Sequence, residues 1–403
     1  FYPDPISSPD PISSIYSSAG IAMLIHYSDL LTAGIRFPGA LDFDQRPAGL
    51  SPRRLPAWTR PQVPAVMDVI VRMPSGVRLS LVTDSAFIEL QVQSTRMFTP
   101  PSAPRPVSFD LMVNHDAIRQ TQVDAGNSIK LNPAKPGEFE LVRGEAYSIR
   151  FDDLPSGENS YELWLPHNAF LEIRSLKLAP NSVMRAVTDE RPRWMHYGSS
   201  ISHCMEADSP TGTWPAVAAY AGQQQVNLQS FGFAGQCHLD QFVARAMRDL
   251  PAELITLKVG INLVNMDSMR ERVFPSALHG FLDTLREGHK QTPIILVSPI
   301  YCPSAEDSPG PTLPDQEGKF RTHEGNERLR QGALSLKRIR ELMTELVLLR
   351  NQAGDSNLHY LDGLELFSAA DAADLPDLLH PNPAGYRRMG ERFASRVFNG
   401  TYF

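Results

Sequence analysis

The stretch Arg193-Trp194-Met195-His196-Tyr197-Gly198-Ser199-Ser200-Ile201-Ser202 decides how the chain is read. A short apolar and aromatic run stops at a glycine and delivers serines at once. That is the pattern of a strand ending in a tight turn with a helix about to begin. It sets the Ser200 hydroxyl at the carboxyl end of a strand. Most serines in such places are solvated turn residues, so the surrounding sequence decides whether Ser200 carries chemistry.

Beyond this stretch, strands and helices alternate. Arg193–Gly198, Gln225–Ser230, Leu254–Gly260, Ile294–Pro299 and Leu358–Asp362 read as strands. Trp214–Gly222, His238–Leu250, Met269–His289, Asn326–Asn351 and Ala384–Phe398 read as helices. Such alternation predicts βαβ units: an α/β region with a five-stranded parallel sheet in flavodoxin-like order, covered on both faces, whose ligands bind beyond the carboxyl ends of the strands. The loop Cys302–His323, rich in Pro, Asp, Glu and Gly, follows such an end and is read as a lid or substrate wall.

Upstream the signals are those of a different fold. Met67–Arg72, Val77–Val82, Ala86–Gln93, Val107–Val113, Glu138–Val142, Ala146–Phe151, Ser160–Leu165 and Phe170–Leu178 are short, β-branched or aromatic runs separated by Pro-Ser-Gly, Thr-Asp-Ser and Pro-Gly. They predict an all-β sandwich or jelly roll. The expected organisation is an irregular arm over 1–40, a β-sandwich over 41–180 and an α/β domain over 190–403. The arm holds the hexapeptide PDPISS twice, at Pro3–Ser8 and Pro9–Ser14, and an apolar patch, Ile21–Ile25, able to dock on the sandwich. The sandwich is read as a wall of the active site in preference to a carbohydrate-binding module. Trp58, Tyr161 and Trp164 fit a core as well as a sugar platform.

The bulk properties exclude several function classes. At 403 residues the chain is long enough for two or three domains, and 42% hydrophobic with 21% charged residues is ordinary for a globular protein. A net charge of −7 leaves no footprint for nucleic acid or an anionic membrane surface, and no apolar run approaches the roughly 20 residues of a membrane helix. Three cysteines, Cys204, Cys237 and Cys302, lack CxxC spacing and form neither a disulfide framework nor a zinc set. With no basic-then-apolar leader at the start, this points to a reducing, cytoplasmic compartment, although processing ahead of Phe1 would remove such a leader.

Four positions fall at strand ends that converge in a doubly wound sheet: Ser200, the Gly232-Phe-Ala-Gly235 turn, Gly260-Ile261-Asn262, and Asp377-Leu-Leu-His380. Singly, each has a bland explanation as a turn, cap or solvated loop residue. Together they supply acyl transfer. A serine hydroxyl needs a base, histidine suits that task, and a carboxylate three residues before it can orient it. The Ser200 and Gly235 N–H groups and the Asn262 amide would then form an oxyanion hole.

These blocks resemble the SGNH, or GDSL-type, hydrolase superfamily. Gly198-Ser199-Ser200 matches its Gly-Asp-Ser block, Gly235 its second-block glycine, Asn262 its Gly-x-Asn, and Asp377 with His380 its Asp-x-x-His. The resemblance runs from Arg193 to Phe398 and implies Ser200, Asp377 and His380 as catalytic triad. Ser199 and Leu263 stand where the family often has aspartate. An N-terminal jelly roll, with the phrase Tyr161-Glu-Leu-Trp-Leu-Pro-His167-Asn-Ala-Phe170, is similar to the carbohydrate esterases and polyketide acyltransferases of that superfamily.

Other groups are read as structural. His196, His203 and His238 cluster in sequence without carboxylate or thiolate partners at metal spacing. Cys204 and Cys237 are read as packing residues, and Ser202 as the rival hydroxyl. Arg270, Arg272, Lys337, Arg338 and Arg340 are read as solvated helix faces. The expectation is a serine esterase or acyltransferase acting on a small-molecule ester, such as an acylated sugar or polyketide, with no metal or cofactor. The alternative is a carbohydrate-binding protein with an inactive hydrolase domain. A dinucleotide enzyme is disfavoured because Gly232–Gly235 lacks GxGxxG spacing. The oligomeric state is not set by the sequence.

Overall fold

The computed structural model describes residues 20–132, 135, 137–222, 225–323 and 330–399. The PDPISS repeat lies outside them. The N-terminal half is a sandwich of two mainly antiparallel sheets. The first runs β2 (Asp42–Arg46), β3 (Gly49–Arg53), β12 (Ala169–Leu178), β5 (Ile88–Phe98), β8 (Asn127–Leu131), β9 (Phe139–Val142), with β1 (Met23–His26) on β12 and β10 (Tyr147–Phe151) on β5. The second runs β13 (Met184–Arg185), β4 (Arg78–Thr83), β11 (Asn159–Trp164), β6 (Val107–Val113), β7 (Ala117–Val123).

Alternation explains how these strands pack. Leu79 and Leu81, Phe109 and Leu111, and Tyr161 and Leu163 project from the second sheet onto Leu90, Val92, Leu171 and Ile173 of the first. Yet β4 and β6 are buried on both faces. The outer face of β6 meets the C-terminal half, where Ser108 Oγ donates to the Asp208 carbonyl at 3.0 Å and Asp110 accepts from Thr211 N and Oγ1 at 2.8 and 2.6 Å.

The C-terminal half has five parallel strands in the order β15 (Asn227–Gly232), β14 (Arg193–Gly198), β16 (Leu254–Lys258), β17 (Ile294–Val297), β20 (Leu358–Leu361). The chain runs from β14 out to β15 and then back across to β16, so the switch point lies between β14 and β16. Helices α3 (Trp214–Ala221) and α8 (Pro383–Val397) close one face, where Trp194 stacks on Phe393 at 5.1 Å. On the other face Tyr197 stacks on Phe281 of α6 (Phe274–Gly288) at 5.2 Å.

The edge strand β15 is covered by the sandwich. Its Leu228 and Gly232 carbonyls accept from Arg78 Nη1 at 2.7 Å and Arg54 Nη1 at 2.6 Å, and both guanidiniums are fully buried. Between them Gly76 lies so close that a Cβ would come within 2.7 Å of Ser230 Cβ. An open edge would expose unpaired carbonyls, and buried arginines satisfy them here. Burial alone pushes the Arg54 pKa down to about 9.

Several sequence expectations are corrected. Met67–Arg72 is not a strand: the chain forms helix α1 (Ala65–Val71) after Pro64, burying Met67, Ile70 and Val71 at helical spacing. Residues 20–40 are not an irregular arm, since β1 pairs along β12 and Leu30, Ala33 and Ile35 are buried. Strands β2, β3, β7 and β8 went unread because Asp, Arg, Gln and Lys interrupt their apolar pattern. The helix expected from Asn326 is α7 (Leu336–Gln352), capped by Ser335 Oγ on Arg338 N; residues 326–329 of that expectation lie outside the described part. Helix α4 (Gln241–Arg248) starts later than expected, and Arg270 and Arg272 precede α6. Arg340 is no solvated residue: it is 8% exposed, pairs with Glu306 and donates to the Pro299 and Ile300 carbonyls.

Candidate active site

The site begins with glycines. Gly198 and Gly232 end neighbouring strands in register. A Cβ on Gly198 would lie 2.2 Å from Ser202 Oγ, and one on Gly232 2.7 Å from the Ser202 backbone. Their absence lets the short helix α2 (Ser200–His203) press onto the sheet end. Ser199, where the family usually has aspartate, is its N-cap, accepting from Ile201 N at 3.3 Å. Ser200 thus opens the helix and is half-buried, while Ile201 and Ser202 point into the protein.

The Asp377–His380 segment folds as a tight turn. Asp377 Oδ1 accepts the backbone N–H groups of Leu379 and His380 at 2.9 and 2.7 Å, and Leu378 takes a positive φ of 67°. This leaves Oδ2 for the imidazole. His380 Nδ1 lies 2.6 Å from Asp377 Oδ2, and His380 Nε2 2.9 Å from Ser200 Oγ. An ionised carboxylate only accepts, so Nδ1 carries the proton and Nε2 accepts from the serine hydroxyl. Sequence-distant residues are therefore aligned as acceptor, base and hydroxyl.

The remaining predicted residues follow β15 and β16, the two strands that flank β14. Asn262 stands on the short helix α5 (Ile261–Asn265) and is 4% exposed. Its Oδ1 accepts from Cys237 N at 3.0 Å, which turns the amide NH2 away from that bond. Gly235 has φ 69°, and a Cβ there would meet open space, so the backbone conformation demands glycine. Its carbonyl accepts from His238 Nε2 at 3.1 Å, and His238 Nδ1 in turn meets Ser268 Oγ at 2.8 Å. Among the described residues, the Ser200 N–H, the Gly235 N–H and the Asn262 NH2 donate to no acceptor. Leu263, at the second departure from the family pattern, is fully buried in the core.

Electrostatics strengthen the hold of the His380 imidazole on a proton. Burial pushes the His380 pKa down, but Glu206 and Asp377 outweigh it and raise the value above that of ordinary histidine, against opposition from Arg105. For Asp377 burial acts upward, and the His380 contacts together with the two backbone N–H groups bring the net value below the usual carboxylate range.

The cleft beside Asp377 and His380 has a volume of about 480 Å³ and is shared between the halves. Ile70, Met73, Met97 and Phe98 from the sandwich face Met205, Glu206, Asp377 and His380. The 302–323 loop forms a hairpin, β18 (Thr312–Pro314) and β19 (Phe320–Thr322), that packs against the Asp377–His380 turn. Phe320 N donates to the Asp377 carbonyl at 3.0 Å, and its ring meets His380 edge-on at 5.8 Å. Glu206 and Arg105 carry no motif, and sequence reasoning missed them.

The rival groups lie elsewhere. Ser202 is 1% exposed, and its Oγ meets His196 Nε2 at 2.8 Å. His203 Nδ1 faces Arg54 Nη2 at 3.3 Å, while its Nε2 meets the His167 carbonyl at 2.7 Å. His196, His203 and His238 therefore do not converge, and among the described residues no group of three His, Cys, Asp or Glu could hold a metal. The three cysteines are free and buried. Tyr161 and Trp164 are fully buried, whereas Trp58 is 42% exposed beneath the Arg245 guanidinium. No helix of the described residues is long and apolar enough to cross a membrane.

Comparison with known proteins places this geometry. Residues 196–388 match the GDSL-like Lipase/Acylhydrolase family. The salicylyl-acyltransferase SsfX3 from a tetracycline biosynthetic pathway is 28% identical, with a TM-score of 0.75 over 94% of this chain and 96% of its own. A structure assigned as a GDSL-like lipase, from Bacteroides ovatus, is 17% identical with a TM-score of 0.64 over 94% and 97%. A family two carbohydrate esterase from Cellvibrio japonicus is 14% identical with a TM-score of 0.53 over 94% and 98%. The last two share the fold alone. A search of curated protein sequences finds no match. Residues 196–388 form a domain of the GDSL-like lipase/acylhydrolase family, and the chain is an ester-acting enzyme of the SGNH type.

Proposed function

We propose that the protein transfers the acyl group of a small-molecule ester through an acyl-Ser200 intermediate. The observation that carries this reading is the relay from Asp377 Oδ2 through His380 to Ser200 Oγ at 2.6 and 2.9 Å. His380 Nε2 takes the hydroxyl proton as Oγ bonds to the ester carbonyl carbon. The tetrahedral intermediate's oxyanion falls to the N–H groups of Ser200 and Gly235 and the amide of Asn262. Collapse breaks the bond to the alcohol oxygen, which leaves with the proton from Nε2. A second alcohol, or water, then gives its proton to Nε2 and takes the acyl group.

Transfer to an alcohol is the outcome to test first, in a cleft lined by Ile70, Met73, Met97 and Phe98 together with Arg96, Arg105 and Asn168. Likeness to an acyltransferase across both halves supports the same choice. Acylated sugars and polyketides are the substrate classes to try first. The test combines fluorophosphonate labelling with acyl transfer from p-nitrophenyl esters to added alcohols, followed by mass spectrometry. Label on Ser200 and ester formed from an added alcohol are expected. A wild-type enzyme that neither labels there nor turns over any ester would sink the reading.

A further inference from the structure

The segment after α2 brings a second carboxylate toward the base. Cys204 ends that helix in left-handed backbone, φ 59° and ψ 49°, which non-glycine residues seldom adopt. Its thiol donates to the Ile201 carbonyl at 3.1 Å. The turn carries Met205 and Glu206 to the cleft that Asp377 and His380 also line. There Glu206 Oε2 accepts from Tyr386 Oη at 2.8 Å. Tyr386 is fully buried in the first turn of α8, just beyond His380. The carboxylate is thus tied to the helix that follows the base.

We propose that Glu206 is a positioning residue of the ester-cleaving machinery, a second carboxylate held beside His380 so that the imidazolium formed in acyl transfer is stabilised from two sides. The proposal rests on the reading of Ser200 and His380 given above. Five groups surround His380: Asp377 from its own turn and Ser200 from α2 within hydrogen-bond distance, Phe320 of the hairpin edge-on, and Glu206 after α2 and Arg105 of the sandwich along the same cleft. Asp377 is committed to two backbone N–H groups and Nδ1. Arg105, whose Nη1 donates to the Met205 carbonyl at 2.7 Å, opposes any positive charge on the ring, and so does burial. Glu206 offsets both. In a half-buried cleft such a charge acts on the ring without a hydrogen bond, because screening there is weaker than in bulk water.

The alternative is that the Glu206–Tyr386 bond merely ties α8 to the α2 segment. A pH profile separates the two. His380 must be neutral to accept the serine proton, so kcat/KM falls as pH drops through its pKa. Removing the Glu206 charge lowers that pKa and weakens stabilisation of the imidazolium. For E206Q the acid limb of kcat/KM is therefore expected to move to lower pH, with a plateau about tenfold below wild type. E206D, which keeps the charge, returns the limb toward the wild-type position. An unmoved limb in E206Q, whatever its plateau, overturns the proposal. Fluorophosphonate labelling of Ser200 in the same samples keeps the two readings apart: labelled Ser200 with an unmoved limb defeats only Glu206, whereas an unlabelled wild type defeats the nucleophile. Should E206Q fail to fold, Y386F carries the test. Y386F removes the hydrogen bond that holds the carboxylate toward the ring, so the acid limb again moves to lower pH, and a fixed limb overturns the proposal.

Discussion

Two serines two residues apart each meet a histidine, and the two pairs differ in what surrounds them. Ser200 Oγ and His380 Nε2 are 2.9 Å apart; Ser202 Oγ and His196 Nε2 are 2.8 Å apart. Distance does not distinguish them. The third partner does: His380 Nδ1 meets the Asp377 carboxylate, whereas His196 Nδ1 meets the Thr256 hydroxyl at 2.7 Å. Access differs as well, since Ser202 and His196 are buried, whereas Ser200 is half-buried and His380 lines the cleft. Burial and nearby Lys258 hold the His196 pKa well below that of ordinary histidine, so its ring stays neutral. Glu206 and Asp377 hold His380 in the opposite direction. A serine beside a histidine is thus a structural hydrogen bond until a carboxylate and an open face make it a nucleophile and base.

The largest effect should come from removing the outer pair. Ser200→Ala and His380→Ala are each expected to lower kcat by at least about a thousandfold, with little change in thermal midpoint, because neither side chain anchors the core. Initial rates with an activated ester measure this. Comparable activity in Ser200→Ala would hand the role to Ser202 and reverse the comparison. Asp377→Asn should follow, with a loss of roughly 10²–10⁴ in kcat. An amide can donate to Nδ1 and so impose the tautomer that places a proton on Nε2, where the serine needs an acceptor.

Asn262→Ala comes next, lowering kcat by roughly 10²–10³ with a smaller change in KM, as expected for a donor that acts mainly in the transition state. A KM effect without a kcat effect would make Asn262 a substrate contact. The same variant frees Cys237 N from its acceptor. Asn262→Asp, which retains that acceptor but donates nothing to an oxyanion when ionised, separates the two losses.

The sequence shows the outer pair more clearly than the inner one, for physical reasons. Gly198, Gly235 and the Asp377–His380 spacing are local demands of close packing, positive φ and a tight turn, so they leave marks at fixed offsets. The central strands β16 and β17 are legible because both are buried along their whole length and read as largely apolar runs. By contrast Met67–Arg72 contains Val, Ile and Val and reads as a strand, yet Pro64 and the need to bury Met67, Ile70 and Val71 on one side make it a helix. Glu206 and Arg105 enter the cleft only through tertiary packing, one after a left-handed Cys204 and the other from the sandwich. No local pattern announces them. Arg54 and Arg78 look like surface residues in sequence and are buried because an edge strand needs donors for its carbonyls.

The smallest effect on catalysis should belong to the inner pair, and its stability signature completes the contrast. Ser202→Ala removes the partner of His196 Nε2 in a site without water access, leaving a buried polar atom unsatisfied at a cost of about 1–3 kcal/mol. His196→Phe should destabilise too, since Ser202 loses its partner and the ring between Trp194 and Trp214 must be refitted. Combining the two removes both polar groups at once. The double variant should therefore lose less stability than the sum of the single losses, a coupling measurable in urea melts. Thr256 still accepts from Trp194 Nε1 at 2.9 Å, so the network closes without the histidine. Ester turnover by folded Ser202→Ala should stay within roughly threefold of wild type, a barrier change below about 1 kcal/mol. A far larger loss, with Ser200 still open to fluorophosphonate, would mean that the buried pair holds α2 at the height the nucleophile needs.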